Sequence, residues 1–227
     1  MSLLKNIGKT TAVIVLIIIV IFYFTFRNNG ETERPDDKIK SNKKSRYIFY
    51  SKGKQSNKPH QISSDYVPTP YNEKMSMSVF IKVNNWYENF DSWKHILHKG
   101  TNMAPEDSIT FKALKYQSPG LWFFPKINNL RFVLSVYSDF KFKHKYCDIE
   151  NVPIGNYFHI AFTVNNNIIT VFLNGKMVKN CIFEGIPILT EGNIYVNQGI
   201  TYNGEIKKLQ FFDDVITVKE IEKLSRA

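Results

Sequence analysis

YFHIAFTVNNNIITVFLNGKMV, from Tyr157 to Val178, alternates as an antiparallel sheet requires. Phe158, Ile160, Phe162 and Val164 recur at every second position, so a strand places all four on one face. Asn165, Asn166 and Asn167 then reverse the chain, because Asn tolerates left-handed backbone. Ile169, Val171 and Leu173 return along the same face, and Asn174-Gly175 supplies a two-residue turn with positive φ at both positions. Strand, turn, strand, turn, strand is the pattern of a sheet with one buried face.

The same period extends in both directions. In MSVFIKVN, Met77, Val79, Ile81 and Val83 share a face, with Ser78, Lys82 and Asn84 opposite. Strands are predicted over WKHILHKG (Trp93 to Gly100), ITFKAL (Ile109 to Leu114), GLWFFP (Gly120 to Pro125), LRFVLSVY (Leu130 to Tyr137), FKFKHKYCDI (Phe140 to Ile149) and GEIKKLQFFDD (Gly204 to Asp214). One soluble helix is expected at the end, where Thr217 and Glu220 form a capping box and Val218, Ile221 and Leu224 make an apolar stripe. Many short strands and one short helix predict an all-β, two-sheet antiparallel sandwich.

Three passages carry a resemblance to the concanavalin A-like lectin/glucanase superfamily, in its laminin G-like and pentraxin-like branch. They are Met77 to Gly100 with HILHKG, Pro153 to Val178, and GEIKKLQFFDDVITVKEIEKL at the end. The resemblance implies a jelly roll with binding loops at one rim, and glycan binding follows from it alone. Tyr157 stands where that family usually has Trp, a change between two amphipathic aromatics. PGLWFFPKINNLRFVLSV also resembles single-pass proteins of large DNA viruses, which implies a virion membrane protein.

Ahead of the sandwich the text changes. Thr10 to Phe26 is free of charge, Pro and Gly, and Lys9 and Arg27 bracket it. It is long enough for a bilayer-spanning helix and ends in Phe22, Tyr23, Phe24 and Phe26 rather than a small-residue cleavage site. The expected organisation is a tail at 1–9, a transmembrane anchor at 10–27, a basic flexible linker at 28–65 and a lectin-like sandwich at 66–227. Within the linker Tyr47-Ile-Phe-Tyr50 reads as a short strand or a docking segment.

The net charge of +10 is concentrated there: ten Lys or Arg face four acids between Arg27 and Lys58. From Pro59 onward eighteen bases face sixteen acids, so the folded part is close to neutral and nucleic acid is not an expected partner. The expected partners are a lipid bilayer, through Thr10 to Phe26 and the basic linker, and a glycan or protein ligand. Basic residues after the span and the absence of Asn-x-Ser/Thr place the sandwich on the cytosolic side.

The chemistry expected is recognition. Glucanases of this superfamily use an E-x-D-x-x-E strand, and no such string occurs here. Glu106-Asp107 and Asp213-Asp214 are adjacent pairs, which a strand sends to opposite faces. His95 and His98, three apart, are likewise expected on opposite faces, which excludes a zinc pair. No cofactor is expected, although the resemblance implies calcium without placing a site. Lys141, Lys143 and Lys145 form a cationic stripe opposite Phe140, Phe142 and Tyr146, and Trp122 is a candidate stacking surface. Lysines that guard an edge strand and aromatics that fill a core explain the same residues. Cys147 and Cys181 fit either a disulfide or two small buried thiols.

Two functions follow. One is a membrane-anchored, non-enzymatic recognition module. The other is a structural virion membrane protein that docks the membrane to a capsid or scaffold partner.

Overall fold

The computed structural model describes residues 16–17, 32–41, 44–70, 72–103, 112, 114–189 and 192–227. The chain divides into two compact units, 1–32 and 33–227. In the first, Leu16 and Ile17 are helical and exposed. The rest of the expected span from Thr10 to Phe26 lies outside the described residues. Among the described residues no helix is long and apolar enough to cross a membrane.

In chain order the strands are β1 (Thr32–Glu33), β2 (Asp37–Ser41), β3 (Lys44–Phe49), β4 (Lys54–Gln55), β5 (His60–Ile62), β6 (Lys74–Asn85), β7 (Lys94–Gly100) and β8 (Gln117–Phe123). They continue as β9 (Leu130–Ser138), β10 (Lys141–Ile149), β11 (Tyr157–Asn165), β12 (Ile168–Leu173), β13 (Lys176–Ile182), β14 (Ile186–Pro187), β15 (Asn193–Val196) and β16 (Asn203–Phe212). A helix, α1 (Val218–Ser225), follows. One sheet runs β1-β5-β15-β7-β8-β9-β10 with β14 beside β9; the other runs β13-β12-β11-β6-β16-β3-β2 with β4 beside β16.

The deciding stretch folds as its alternation demands. Phe158, Ile160, Phe162 and Val164 are at most 1% exposed, and the Phe162 ring meets Phe132 of the other sheet at 4.1 Å. Burying each such side chain stabilises the fold by roughly 1.5–3 kcal/mol. Asn174 and Gly175 both have positive φ, at 51° and 81°, as the predicted turn requires. The other face of β11 is covered too: Ala161 packs with Phe172, Phe212, Ile216 and the α1 residues Ile221 and Leu224. The capping box is present, with Thr217 Oγ1 accepting from the Glu220 amide and Glu220 accepting from the Thr217 amide.

Three expectations need correction. The segment read as a linker, 28–65, supplies β1 to β5, and Phe49, Tyr50 and Ile62 are core residues. Of its bases, Lys38, Lys40, Lys44 and Arg46 fall on β2 and β3 at the end of their sheet, where alternating Lys and Arg are tolerated. Of ITFKAL, Lys112 and Leu114 lie outside strands, and Ile109, Thr110, Phe111 and Ala113 lie outside the described residues. Val218 is 55% exposed, so the buried stripe of α1 is Ile221 and Leu224 alone. Trp122 is fully buried, because Met103, Leu114, Val133 and Trp93 cover that face of its sheet.

Candidate ligand groove at one rim of the sandwich

At one end of the sandwich three connections meet: β6 to β7, β8 to β9, and β10 to β11. Each is shaped locally. Asn85 Oδ1 accepts the Tyr87 amide at 3.0 Å, and Asn89 turns with φ 54°. Lys126, at φ 65°, donates its amide to Phe90 O at 2.7 Å and so binds the second connection to the first. Asn128 closes the third: its O accepts the Val152 amide at 2.9 Å and its Nδ2 donates to Val152 O at 3.1 Å.

These connections enclose an open groove of about 570 Å³, lined by Asn84, Asn85, Trp86, Tyr87, Phe90, Lys126, Ile127, Asn128 and Ile154. Tyr87 is 79% exposed and its ring lies 5.8 Å from that of Phe90, centroid to centroid. Trp86 is buried edge-on against Phe123 at 5.3 Å, and the Lys94 ammonium sits 4.7 Å over its ring. Its indole Nε1–H is buried without a hydrogen-bond acceptor among the described residues. Burial of such a donor unpaired costs roughly 1–3 kcal/mol.

The chemistry on offer is therefore ring surface, three side-chain amides and one cation. That set suits a polyhydroxylated ligand, which stacks an apolar face on a ring and bonds its hydroxyls to amides. The acids nearby are engaged: Asp91 pairs with Lys126 at 3.4 Å, and Glu88 accepts from Asn203 Nδ2 at 2.6 Å. A calcium ion needs six to eight oxygen ligands, several of them carboxylate, and the groove presents amides and an ammonium instead. It does not fit one. Among the described residues no three His, Cys, Asp or Glu side chains gather as a metal site.

The residues singled out in the sequence do not converge here. Lys141, Lys143 and Lys145 lie on β10 near the far end of the sandwich, with Lys143 paired to Asp139 at 2.5 Å. On that strand the aromatic face is open: Phe142 is 51% exposed and Tyr146 40%, whereas Lys143 and Lys145 are half-buried. Asp213 and Asp214 precede α1, where Asp214 O accepts from Ser76 Oγ at 2.8 Å. Glu106 and Asp107 lie outside the described residues.

His95 and His98 require a correction, for they are on the same face. A bulge between His95 and Leu97 inserts Ile96 and resets the alternation, bringing His95 Nε2 within 2.8 Å of His98 Nδ1. They form no open metal site, since both are fully buried and His98 Nε2 contacts Thr101 O at 2.9 Å. His159, buried by β6, sits 2.8 Å from Ser78 Oγ. Cys147 and Cys181 form a disulfide, with Cα atoms 5.8 Å apart, that joins β10 to β13 across the two sheets. Sequence reasoning missed Tyr87 and Trp86; the signal present was NNWYENF, aromatics and amides clustered just past a strand.

The family model of the concanavalin A-like lectin/glucanases superfamily matches residues 54–222. No curated protein sequence matches the chain. Among solved structures, the binding domain of botulinum neurotoxin serotype D is similar at TM-score 0.53 and 13% identity, over 85% of this chain and 45% of that one. The serotype G binding domain gives 0.52 and 15%, over 85% and 45%. The binding domain of botulinum neurotoxin DC in complex with SialylT gives 0.51 and 13%, over 83% and 41%. The chain thus spans less than half the length of these structures. The family model covers most of the two-sheet sandwich: the chain belongs to the concanavalin A-like lectin/glucanases superfamily.

Proposed function

We propose that the chain is a membrane-tethered, non-enzymatic recognition module whose rim groove binds a glycan without a metal ion. The observation that carries this reading is the groove itself: the Tyr87 and Phe90 rings beside the side-chain amides of Asn84, Asn85 and Asn128. Binding by such a site is stacking plus oriented hydrogen bonds, and no carboxylate pair stands ready for glycoside hydrolysis. A longer binding domain, of which this chain matches 41%, has been solved in complex with SialylT, and we take acidic sugars as the first ligands to try.

The tether in this reading is Thr10 to Phe26, with the basic residues from Arg27 to Lys58 facing anionic headgroups. The Cys147–Cys181 disulfide supports a sandwich on a non-reducing side of the membrane, in place of the cytosolic side that the charge flanks suggest. Protease protection of a carboxyl-terminal tag in microsomes separates the two orientations.

The test of the ligand reading is a glycan array probed with the full chain, with and without calcium. Binding that survives calcium removal and falls about five- to thirtyfold in Tyr87→Ala is the expected result, since one stacked ring contributes on the order of 1–2 kcal/mol. A blank array, or binding indifferent to Tyr87→Ala, removes the reading. The rival, a structural protein docking a membrane to a capsid or scaffold, is favoured by β13, an edge strand on which Met177 is 60% and Val178 46% exposed. It would show as a blank array together with loss of a captured partner on Met177→Lys.

A further inference from the structure

At the end of the sandwich remote from the groove, the surface has a different character. β9 starts just after the groove residues Lys126 to Asn128 and finishes at Ser138, and β10 returns from Lys141. Their turn, Asp139-Phe140, therefore sits at the opposite end. Phe140 is 92% exposed, and both turn residues have positive φ, 51° and 59°. A bulky side chain disfavours that backbone by about 1–2 kcal/mol, which is why Gly and Asn usually fill such turns. Phe140 thus adds almost no buried area and occupies an unfavourable conformation, so the folded unit itself gives no reason for a Phe there.

Its neighbours continue the theme. Phe142 is 51% exposed and lies 5.4 Å from the Tyr137 ring; Tyr137 pairs across the ladder with Ile186, which is 57% exposed. Ile186 and Ile182, the latter 77% exposed, flank the crossover from β13 to β14. That crossover packs directly on the hairpin stem: a Cβ on Gly185 would lie 2.9 Å from Tyr137 O. Behind this apolar tip come the exposed Lys141 and the half-buried Lys143 and Lys145, with Lys143 paired to Asp139. Soluble surfaces scatter such apolar side chains singly, whereas here they share one end of the molecule.

We propose that the β9–β10 hairpin and the β13–β14 crossover form a docking surface for an anionic lipid bilayer, with Phe140 as the inserting side chain. The shape and chemistry of the tip select this partner. Protruding side chains need a medium that yields around them, and a bilayer interface takes aromatic rings at headgroup depth. Lysines set back from the tip meet anionic headgroups at about 1 kcal/mol each near the surface. A second copy of the same end would bring these lysines against their symmetry mates. A sugar gains nothing from Ile182 and Ile186, which offer neither a ring nor a hydrogen bond. The proposal stands independently of the groove and of whether Thr10 to Phe26 spans a membrane.

The experiment uses the full chain carrying Phe140→Trp or, as a positional control at the other end, Tyr87→Trp. Each is mixed with vesicles of brominated phosphatidylcholine, alone or with an equal part of phosphatidylserine, and tryptophan quenching is compared with the unsubstituted chain. The proposal expects about a twofold loss of the added emission for Phe140→Trp with phosphatidylserine present, a weaker loss without it, and none for Tyr87→Trp. Adding Lys141→Glu, Lys143→Glu and Lys145→Glu should abolish the phosphatidylserine dependence. Equal quenching at both positions, or none at either, overturns the proposal. So does a Phe140→Trp emission that is already shielded without lipid and tracks chain concentration, the sign of a second copy. Failure on lipid leaves the glycan array unaffected, and the reverse holds as well.

Discussion

His98 has one arrangement of protons that satisfies its surroundings. Its Nε2 faces Thr101 O at 2.9 Å and so must donate, which leaves Nδ1 to accept from His95 Nε2–H at 2.8 Å. His95 Nδ1 then accepts the Gln198 amide at 2.9 Å. Both rings are neutral, and a proton added to either would leave two donors facing each other. They are also clasped by aromatics, His95 edge-on to Trp122 at 4.6 Å and His98 stacked on Tyr195 at 5.1 Å. Burial therefore holds His98 down to about 4 and His95 well below its usual value, and His159 is likewise lowered to about 4. The sign follows: between pH 6.5 and 4 the unfolded chain binds protons that the folded chain refuses, so stability falls as pH falls through that window. The full effect is on the order of 3 kcal/mol for each of His98 and His159, complete only below pH 4. Urea midpoints measured at pH 7.5, 6 and 4.5 should decline in step; an unchanged midpoint at pH 4.5 would contradict the neutral pair. None of this was legible in HILHKG. Alternation alone separates residues three apart, and a bulge leaves no mark in the pattern that it shifts.

At the scale of elements, the legible parts are those where one face is apolar and the turn chemistry is strict. β11, β12 and the Asn174-Gly175 turn are of this kind. Gly175 has a second constraint that the turn signature hides: a Cβ there would come within 2.5 Å of Ser225 Oγ on α1. Gly175→Ala should therefore cost about 1–3 kcal/mol from positive φ and crowding together. Adding Ser225→Ala should return the crowding part alone, which a double-mutant cycle on thermal midpoints would read. Full additivity would mean that α1 moves aside instead. The edge strands β10 and β13 are held by the Cys147–Cys181 bridge, whose 34-residue separation limits the unfolded chain. Replacing both by Ala should cost about 3–4 kcal/mol, seen as a lower midpoint that added reductant no longer changes. Indifference of the native chain to reductant would show that the bridge contributes nothing. The less legible elements carry charge where an apolar face was sought. β2 and β3 read DKIKS and KSRYIF, and their place beside β16 comes from backbone pairing with a distant strand, which periodicity cannot register.

For the whole molecule, the question is where the cooperative body begins. A domain starting at Tyr66 would lack β1 to β5. It would lose Phe49 and Ile62, both 0% exposed, and Tyr50 at 4%. It would also leave β16 without the ladder that pairs Leu209 with Phe49, and β15 without the one that pairs Ile194 with Ile62. Ser56 adds a buried tie: its hydroxyl donates to Tyr202 O and accepts the Gly204 amide at 2.8 Å. The three side chains alone represent about 5–8 kcal/mol of burial, comparable with the total stability of about 5–15 kcal/mol usual for a domain. Two newly bare strand edges would add a route to aggregation. A fragment spanning 66–227 should accordingly fail to give a cooperative thermal transition and should aggregate. A fragment spanning 33–227, which matches the second compact unit, should melt in one step with native near-ultraviolet dichroism. Cooperative melting of 66–227 at the midpoint of the longer fragment would return the amino-terminal strands to the status of a linker. It would also mean that the groove and the lysine-backed tip rest on the later strands alone.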